Sequence, residues 1–173
     1  ARRGGDATAS VDDRFQFNYT LENILTYTKT FKSIHNLNLT ALQSFQRDRF
    51  EQSTISVLGI PAPSQLYHRL GDASQITGAN TNLVEWALLS YMARANYDYK
   101  GKYLITATVR ADGSSRFGQN NRFGIFPSVA FGWNMHEESF LKNSSFVDQL
   151  KFRASYGSIG NQAITPYQTQ ALL

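Results

Sequence analysis

The chain has 173 residues, enough for one ordinary domain, with 42% apolar and 13% aromatic residues and a formal charge of +4. Its mean hydropathy is -0.36, and no apolar run approaches the roughly 20 residues a spanning helix needs. There is no cysteine, which excludes disulfides, thiolate zinc sites and cysteine catalysis, and the scattered Arg and Lys form no patch of the nucleic-acid-binding kind.

The first strong pattern runs from Phe15 to Phe31. Odd positions carry Phe15, Phe17, Tyr19, Leu21, Leu25, Tyr27 and Phe31; even positions carry Gln16, Asn18, Thr20, Glu22, Thr26, Thr28 and Thr30. Asn23 and Ile24 break the alternation. A period of two predicts a strand with two different faces. Leu37–Arg47 repeats it, with Leu37, Leu39, Ala41 and Phe45 against Asn38, Thr40, Ser44 and Gln46, so the short Lys32–Asn36 link predicts a hairpin. Between Glu51 and Asn82 the alternation dissolves into Gly59-Ile60-Pro61-Ala62-Pro63, Gly71-Asp72 and Thr77-Gly78-Ala79-Asn80, which predicts a long loop.

Alternation resumes at Leu83. Ala87, Leu89, Tyr91, Ala93, Ala95, Tyr97 and Tyr99 oppose Ser90, Arg94, Asn96 and Asp98. After the tight turn Lys100-Gly101-Lys102 it returns through Tyr103, Ile105, Ala107 and Val109, opposite Thr106, Thr108 and Arg110. A polar loop, Asp112–Arg122, leads to Phe123, Ile125, Val129, Phe131 and Trp133, backed by Ser128, Ala130, Gly132 and Asn134. Glu137–Gln149 accommodates one short helical turn. Then Leu150, Phe152, Ala154 and Tyr156 alternate with Lys151, Arg153, Ser155 and Gly157. The expectation is about six antiparallel strands in up-and-down order, with long loops at one end only.

Such regularity fits either a soluble β-rich binding domain or an outer-membrane barrel, whose apolar face meets lipid. The long strands, the Tyr97, Tyr99 and Tyr103 cluster at a tight turn and Tyr27 and Phe31 at another favour lipid. Six strands cannot close, since single-chain bacterial barrels start at about eight, and open edges in hydrocarbon cost several kcal/mol per unpaired group. The fold class is therefore all-β, a segment of a larger transmembrane barrel.

The run Arg110-Ala111-Asp112-Gly113-Ser114-Ser115-Arg116-Phe117-Gly118 is more specific. So are Asn120-Asn121-Arg122-Phe123-Gly124-Ile125-Phe126-Pro127-Ser128, Gly132-Trp133, Glu137-Glu138-Ser139-Phe140-Leu141-Lys142, Leu150-Lys151-Phe152-Arg153-Ala154-Ser155-Tyr156-Gly157, Gly160-Asn161-Gln162 and Pro166-Tyr167. Dense and ordered over Tyr97–Tyr167, they resemble the SusC/RagA-type TonB-dependent outer-membrane transporters; residues 1–96 carry no comparable signature. The resemblance implies a twenty-two-stranded barrel, of which residues 1–173 are a partial barrel domain without plug or N-terminal domains. It also implies a SusD-like surface lipoprotein as lid, a TonB–ExbB–ExbD energy coupler and oligosaccharide or oligopeptide cargo. The alternative is a non-transporting adhesin or structural barrel.

No cofactor or metal is expected. His35, His68 and His136 are isolated, and nothing resembles a nucleophile elbow, phosphate loop or triad, so enzymatic activity is not expected. Glu137-Glu138 reads as the opening of a short helix, where carboxylates suit the positive end. The loop residues Asp112, Arg116, Asn120, Asn121 and Arg122 are candidates for facing cargo or lid, or for structural pairing with loops and outer-membrane lipid or lipopolysaccharide. Arg94, Arg110, Lys151 and Arg153 fall on the inferred lumen face, where they attract anionic cargo or pair with plug and wall.

Overall fold

The computed structural model describes residues 7–61, 63–118, 121–142 and 146–161. Six antiparallel strands lie in sequence order in one sheet, with β1 and β6 at its edges. They are β1 (Thr8–Phe31), β2 (His35–Leu58), β3 (Gln75–Tyr99), β4 (Tyr103–Ser114), β5 (Phe123–Asn134) and β6 (Lys151–Gly157). Short 3₁₀ turns occupy Pro63–Asp72 and Met135–Glu137. Two compact units contribute: Ala1–Tyr19 with Arg47–Trp86, and Thr20–Gln46 with Ala87–Leu173.

The first unit corrects the expected long loop. β2 runs on to Leu58 and β3 starts at Gln75, so the Glu51–Asn82 loop shrinks to residues 59–74, and β1 starts at Thr8 rather than Phe15. The physical reason is that polar groups occupy both faces here, so no apolar alternation marks the strands. Arg47 and Arg49 each reach Glu85 at 3.3 Å, and Arg49 also pairs with Glu51. On positions of opposite parity, Gln52 donates to Asp12 at 2.9 Å and Gln16 to Asp48 at 2.9 Å.

The second unit has the expected two faces. Its registered rows are Leu89–Gly113–Phe123, Tyr91–Ala111–Ile125, Ala93–Val109–Pro127, Ala95–Ala107–Val129, Tyr97–Ile105–Phe131 and Tyr99–Tyr103–Trp133. All are odd positions, and large members stand exposed, Tyr91 at 48%, Ile105 at 43% and Val129 at 49%. Even positions bond across strands instead. Asn96 takes a bond from Thr106 at 2.9 Å and donates to Asn38 at 3.3 Å, while Asn38 donates to Thr28 at 2.9 Å. Asn23 and Ile24 keep the register: Asn23 bonds Gln43 on the apolar side while Glu22 takes a bond from Ser44 on the polar side.

Both tight turns use left-handed backbone, as two-residue hairpins of matching twist require. Lys32 and Ser33 have φ of 50° and 55°, and Lys100 and Gly101 of 56° and 68°. Ile34 N–H bonds Phe31 at 3.2 Å and Lys102 N–H bonds Tyr99 at 3.0 Å. The link between β5 and β6, residues 135–150, leaves from the same end of the sheet as these turns. Long connections are therefore not confined to the other end. The link opens on the three-residue 3₁₀ turn Met135–Glu137, and Asn134 and Met135, tied to Lys102 and Leu150 at 2.8 Å, close it locally.

Candidate functional site

Along the turn end of the second unit, rings form a row across four strands. His35 lies 5.0 Å from Tyr99, which lies 6.3 Å from Tyr103, itself 6.3 Å from Trp133. Phe31 and Phe152 extend it at either side, both exposed, and His35 Nδ1 shares a 2.6 Å hydrogen bond with the Tyr97 hydroxyl. Amphipathic rings gathered at one level of a strand sheet form the girdle expected at headgroup depth. From this row to Gly113 is ten residues. At about 3.3 Å per residue and about 40° of tilt, that is about 25 Å, the height of an outer-membrane apolar band.

Behind the rings sits a cluster that sequence reasoning missed. Glu138 accepts bonds from the Tyr103 hydroxyl at 2.7 Å, Lys102 Nζ at 3.0 Å and Trp133 Nε1 at 3.2 Å. The Tyr103 bond first, then Lys102 and Trp133, hold its carboxyl below the usual range. The expected helix-opening role of Glu137-Glu138 is thus corrected: the 3₁₀ turn ends at Glu137, and Glu138 staples the β5–β6 link to the neighbouring hairpin. No local spacing signals this, since the partners meet only through the β4–β5 register.

The polar face of β3–β6, even positions on β3 to β5 and odd ones on β6, forms an open trough of about 580 Å³. Arg94, Arg110, Thr106, Thr108, Ser128 and Ser155 line it. Arg94 Nε donates to Thr108 at 3.2 Å. Arg110 Nε donates to both Asp112 oxygens, at 2.8 and 2.9 Å, and its Nη2 to the buried Ser90 hydroxyl at 3.3 Å. Asp112 is therefore a strand residue paired to Arg110, not a free loop carboxylate; β4 continues to Ser114 because Gly113 lets the Phe123 ring lie across it. Lys151 and Arg153 share this face on β6, exposed, opposite Asn134 and Gly132.

The remaining loop, residues 115–122, is pinned to its strands. Ser115 N–H bonds Ala87 at 2.9 Å and Ser114 N–H bonds Arg122 at 2.9 Å. Arg116, half-buried, donates its N–H to Ser114 Oγ at 3.3 Å. Asn121 and Arg122 are exposed and share a cleft of about 210 Å³ with Asp112, Phe117 and Phe126. Asn120 lies outside the described residues. The structure therefore gathers Arg94, Arg110 and Asp112 in the trough and Asp112, Asn121 and Arg122 in the cleft, and leaves Arg116 lining neither. Among the described residues, no group of three or more His, Asp or Glu is arranged to hold a metal ion. Chemically, the trough offers guanidinium and hydroxyl donors for binding, and its one carboxylate is already paired to Arg110.

No family model matches the chain. It is 40% identical over 168 residues to the TonB-dependent receptor P3 of Formosa agariphila, covering 97% of this chain and 16% of that protein. It is also 40% identical over 122 residues to the TonB-dependent receptor SusC of Bacteroides thetaiotaomicron, covering 70% of this chain and 11% of that one. A solved structure of the RagAB peptide transporter superposes with a TM-score of 0.88 at 25% identity, covering 94% of this chain and 18% of that one. The chain thus spans a small part of each relative's length.

Proposed function

From a chain that is a barrel segment of the SusC/RagA type of TonB-dependent outer-membrane receptor, we propose that the full-length protein imports oligosaccharides, or oligopeptides, across the bacterial outer membrane. The observation that carries this reading is the two-sidedness of the second unit, with exposed apolar residues on one face of its strands and bonded polar residues on the other. In a closed barrel the first face meets lipid and the second encloses a passage. A SusD-like lipoprotein covers the loops, and TonB–ExbB–ExbD acts through a plug elsewhere in the polypeptide. Residues 1–173 serve as wall and loops only. The trough residues Arg94 and Arg110, with Lys151 and Arg153 on the same face, line the passage, and Asp112, Arg116, Asn120, Asn121 and Arg122 lie where cargo or lid approaches.

Deleting the full-length gene tests the proposal. The deletion strain is expected to lose growth on one oligomeric glycan or peptide while growing normally on its monomers, and a surface lipoprotein is expected to co-purify with the receptor. Unchanged growth on all such oligomers, with no lipoprotein retained, would refute it.

A further inference from the structure

The apolar face of the second unit is uneven. At its centre Ala93 pairs with Val109 and Ala95 with Ala107. Two hollows of about 650 and 660 Å³ share Leu25, Ala41, Ala93 and Val109, and so make one furrow. Tyr27 and Leu39 stand at one end of it, Asn23, Gln43 and Tyr91 at the other. Asn23 Nδ2 donates to Gln43 Oε1 at 2.7 Å, which leaves Asn23 Oδ1 as an acceptor and Gln43 Nε2 as a donor. Polar groups on a hydrocarbon-facing surface are costly unless bonded.

The Tyr91 row is one step in from Leu89–Gly113–Phe123, the row that precedes the 115–122 loop. It is therefore at the end opposite the tight turns, the outer-leaflet side of an outer-membrane barrel. Since the furrow is continuous with the lipid-facing belt, its occupant is lipid. The amide pair adds a choice among lipids. Within hydrocarbon, tail packing alone discriminates weakly, because one chain is as apolar as another. Hydrogen bonds do discriminate. An ester-linked phospholipid chain offers only acceptors near its head, whereas an amide-linked, hydroxylated chain offers an N–H and an O–H as well.

We propose that this furrow selects an outer-leaflet lipid with an amide-linked hydroxyacyl chain, whose tail lies over Ala41, Ala93, Ala95 and Ala107 while Asn23 and Gln43 bond its amide and hydroxyl. The inference rests on the lipid-facing assignment and is independent of cargo.

The test reconstitutes the full-length receptor with equal amounts of lipid A, bearing amide-linked 3-hydroxyacyl chains, and phosphatidylethanolamine. Lipids retained in mild detergent are then counted by native mass spectrometry. Wild type is expected to retain at least about tenfold more lipid A. The double substitution Asn23→Leu/Gln43→Leu is expected to bring the ratio to about one. Ala93→Leu fills the furrow and is expected to lower lipid A retention with Asn23 and Gln43 intact. It also decides the matter should the double variant fail to show the heat-modifiable mobility of a folded barrel. Equal retention of both lipids by wild type, or an enrichment that survives in the folded variants, overturns the proposal.

Discussion

An arginine walked along β4 separates the two faces quantitatively. On a transmembrane barrel, Arg on the lipid side costs about 2–4 kcal/mol at the bilayer midplane and about 0–1 near the interfaces. Ala107 lies in the fourth of the six rows between Leu89–Gly113–Phe123 and Tyr99–Tyr103–Trp133, near mid-depth. Ala107→Arg is therefore expected to cost about 2–4 kcal/mol, a shift of roughly 30- to 700-fold in the unfolding equilibrium. Tyr103→Arg, in the aromatic row, is expected to cost less as far as depth is concerned, plus whatever its bond to Glu138 supplies. Thr106→Arg and Thr108→Arg, on the bonded face, are expected to fall within about 1 kcal/mol of wild type. The measurement is denaturant unfolding of the full-length receptor in bilayers. The decisive comparison is Ala107 against Thr106 and Thr108. Equal costs on odd and even positions would refute the lipid-facing assignment, and with it the passage on the other side.

Four further outcomes follow from the geometry. A Cβ on Gly113 would lie 2.5 Å from the Phe123 ring, so Gly113→Val is expected to destabilise by about 1–3 kcal/mol in the same assay. Gly118→Ala, with open space around it, is expected to stay within about 0.5 kcal/mol. Ser33→Gly relieves a left-handed residue with φ of 55° and is expected to raise stability by about 0.5–1 kcal/mol. Finally, the Glu138 carboxyl is held below its ordinary value of 4.5. Its contribution is complete above that value and disappears as pH falls through the lower folded one. Limited proteolysis of the 135–150 link is therefore expected to accelerate only at pH below 4.5, and Glu138→Gln to remove that dependence.

The sequence exposes structure where one face is apolar. The hairpin built on Lys100-Gly101-Lys102 and β5 from Phe123 to Asn134 are legible because every second residue must be greasy, and the structure follows them closely. Residues 51–58 and 75–82 escape notice because polar side chains outnumber apolar ones there and backbone pairing needs no side-chain pattern. Parity alone puts Arg94, Arg110, Lys151 and Arg153 on one polar face. Asp112 does not, because its residue type and its Gly113 neighbour mimic loop chemistry. Glu138 is invisible for another reason: its three partners become neighbours only when the β4–β5 register is known. The resemblance legible in the sequence rests on the ordered run from Tyr97 onward rather than on any physical pattern, whereas the receptor P3 matches over 168 residues.

The open flanks of the sheet have a consequence for biogenesis. Among the described residues, β1 presents one side of a 24-residue strand without a hydrogen-bonding neighbour beyond it. Such a flank templates whatever extended chain arrives first. Expressed alone, this piece is expected to polymerise through β1 and β6. In a closed barrel both flanks are paired, so that closure of the whole cylinder, rather than any local patch, is the event that ends such stickiness.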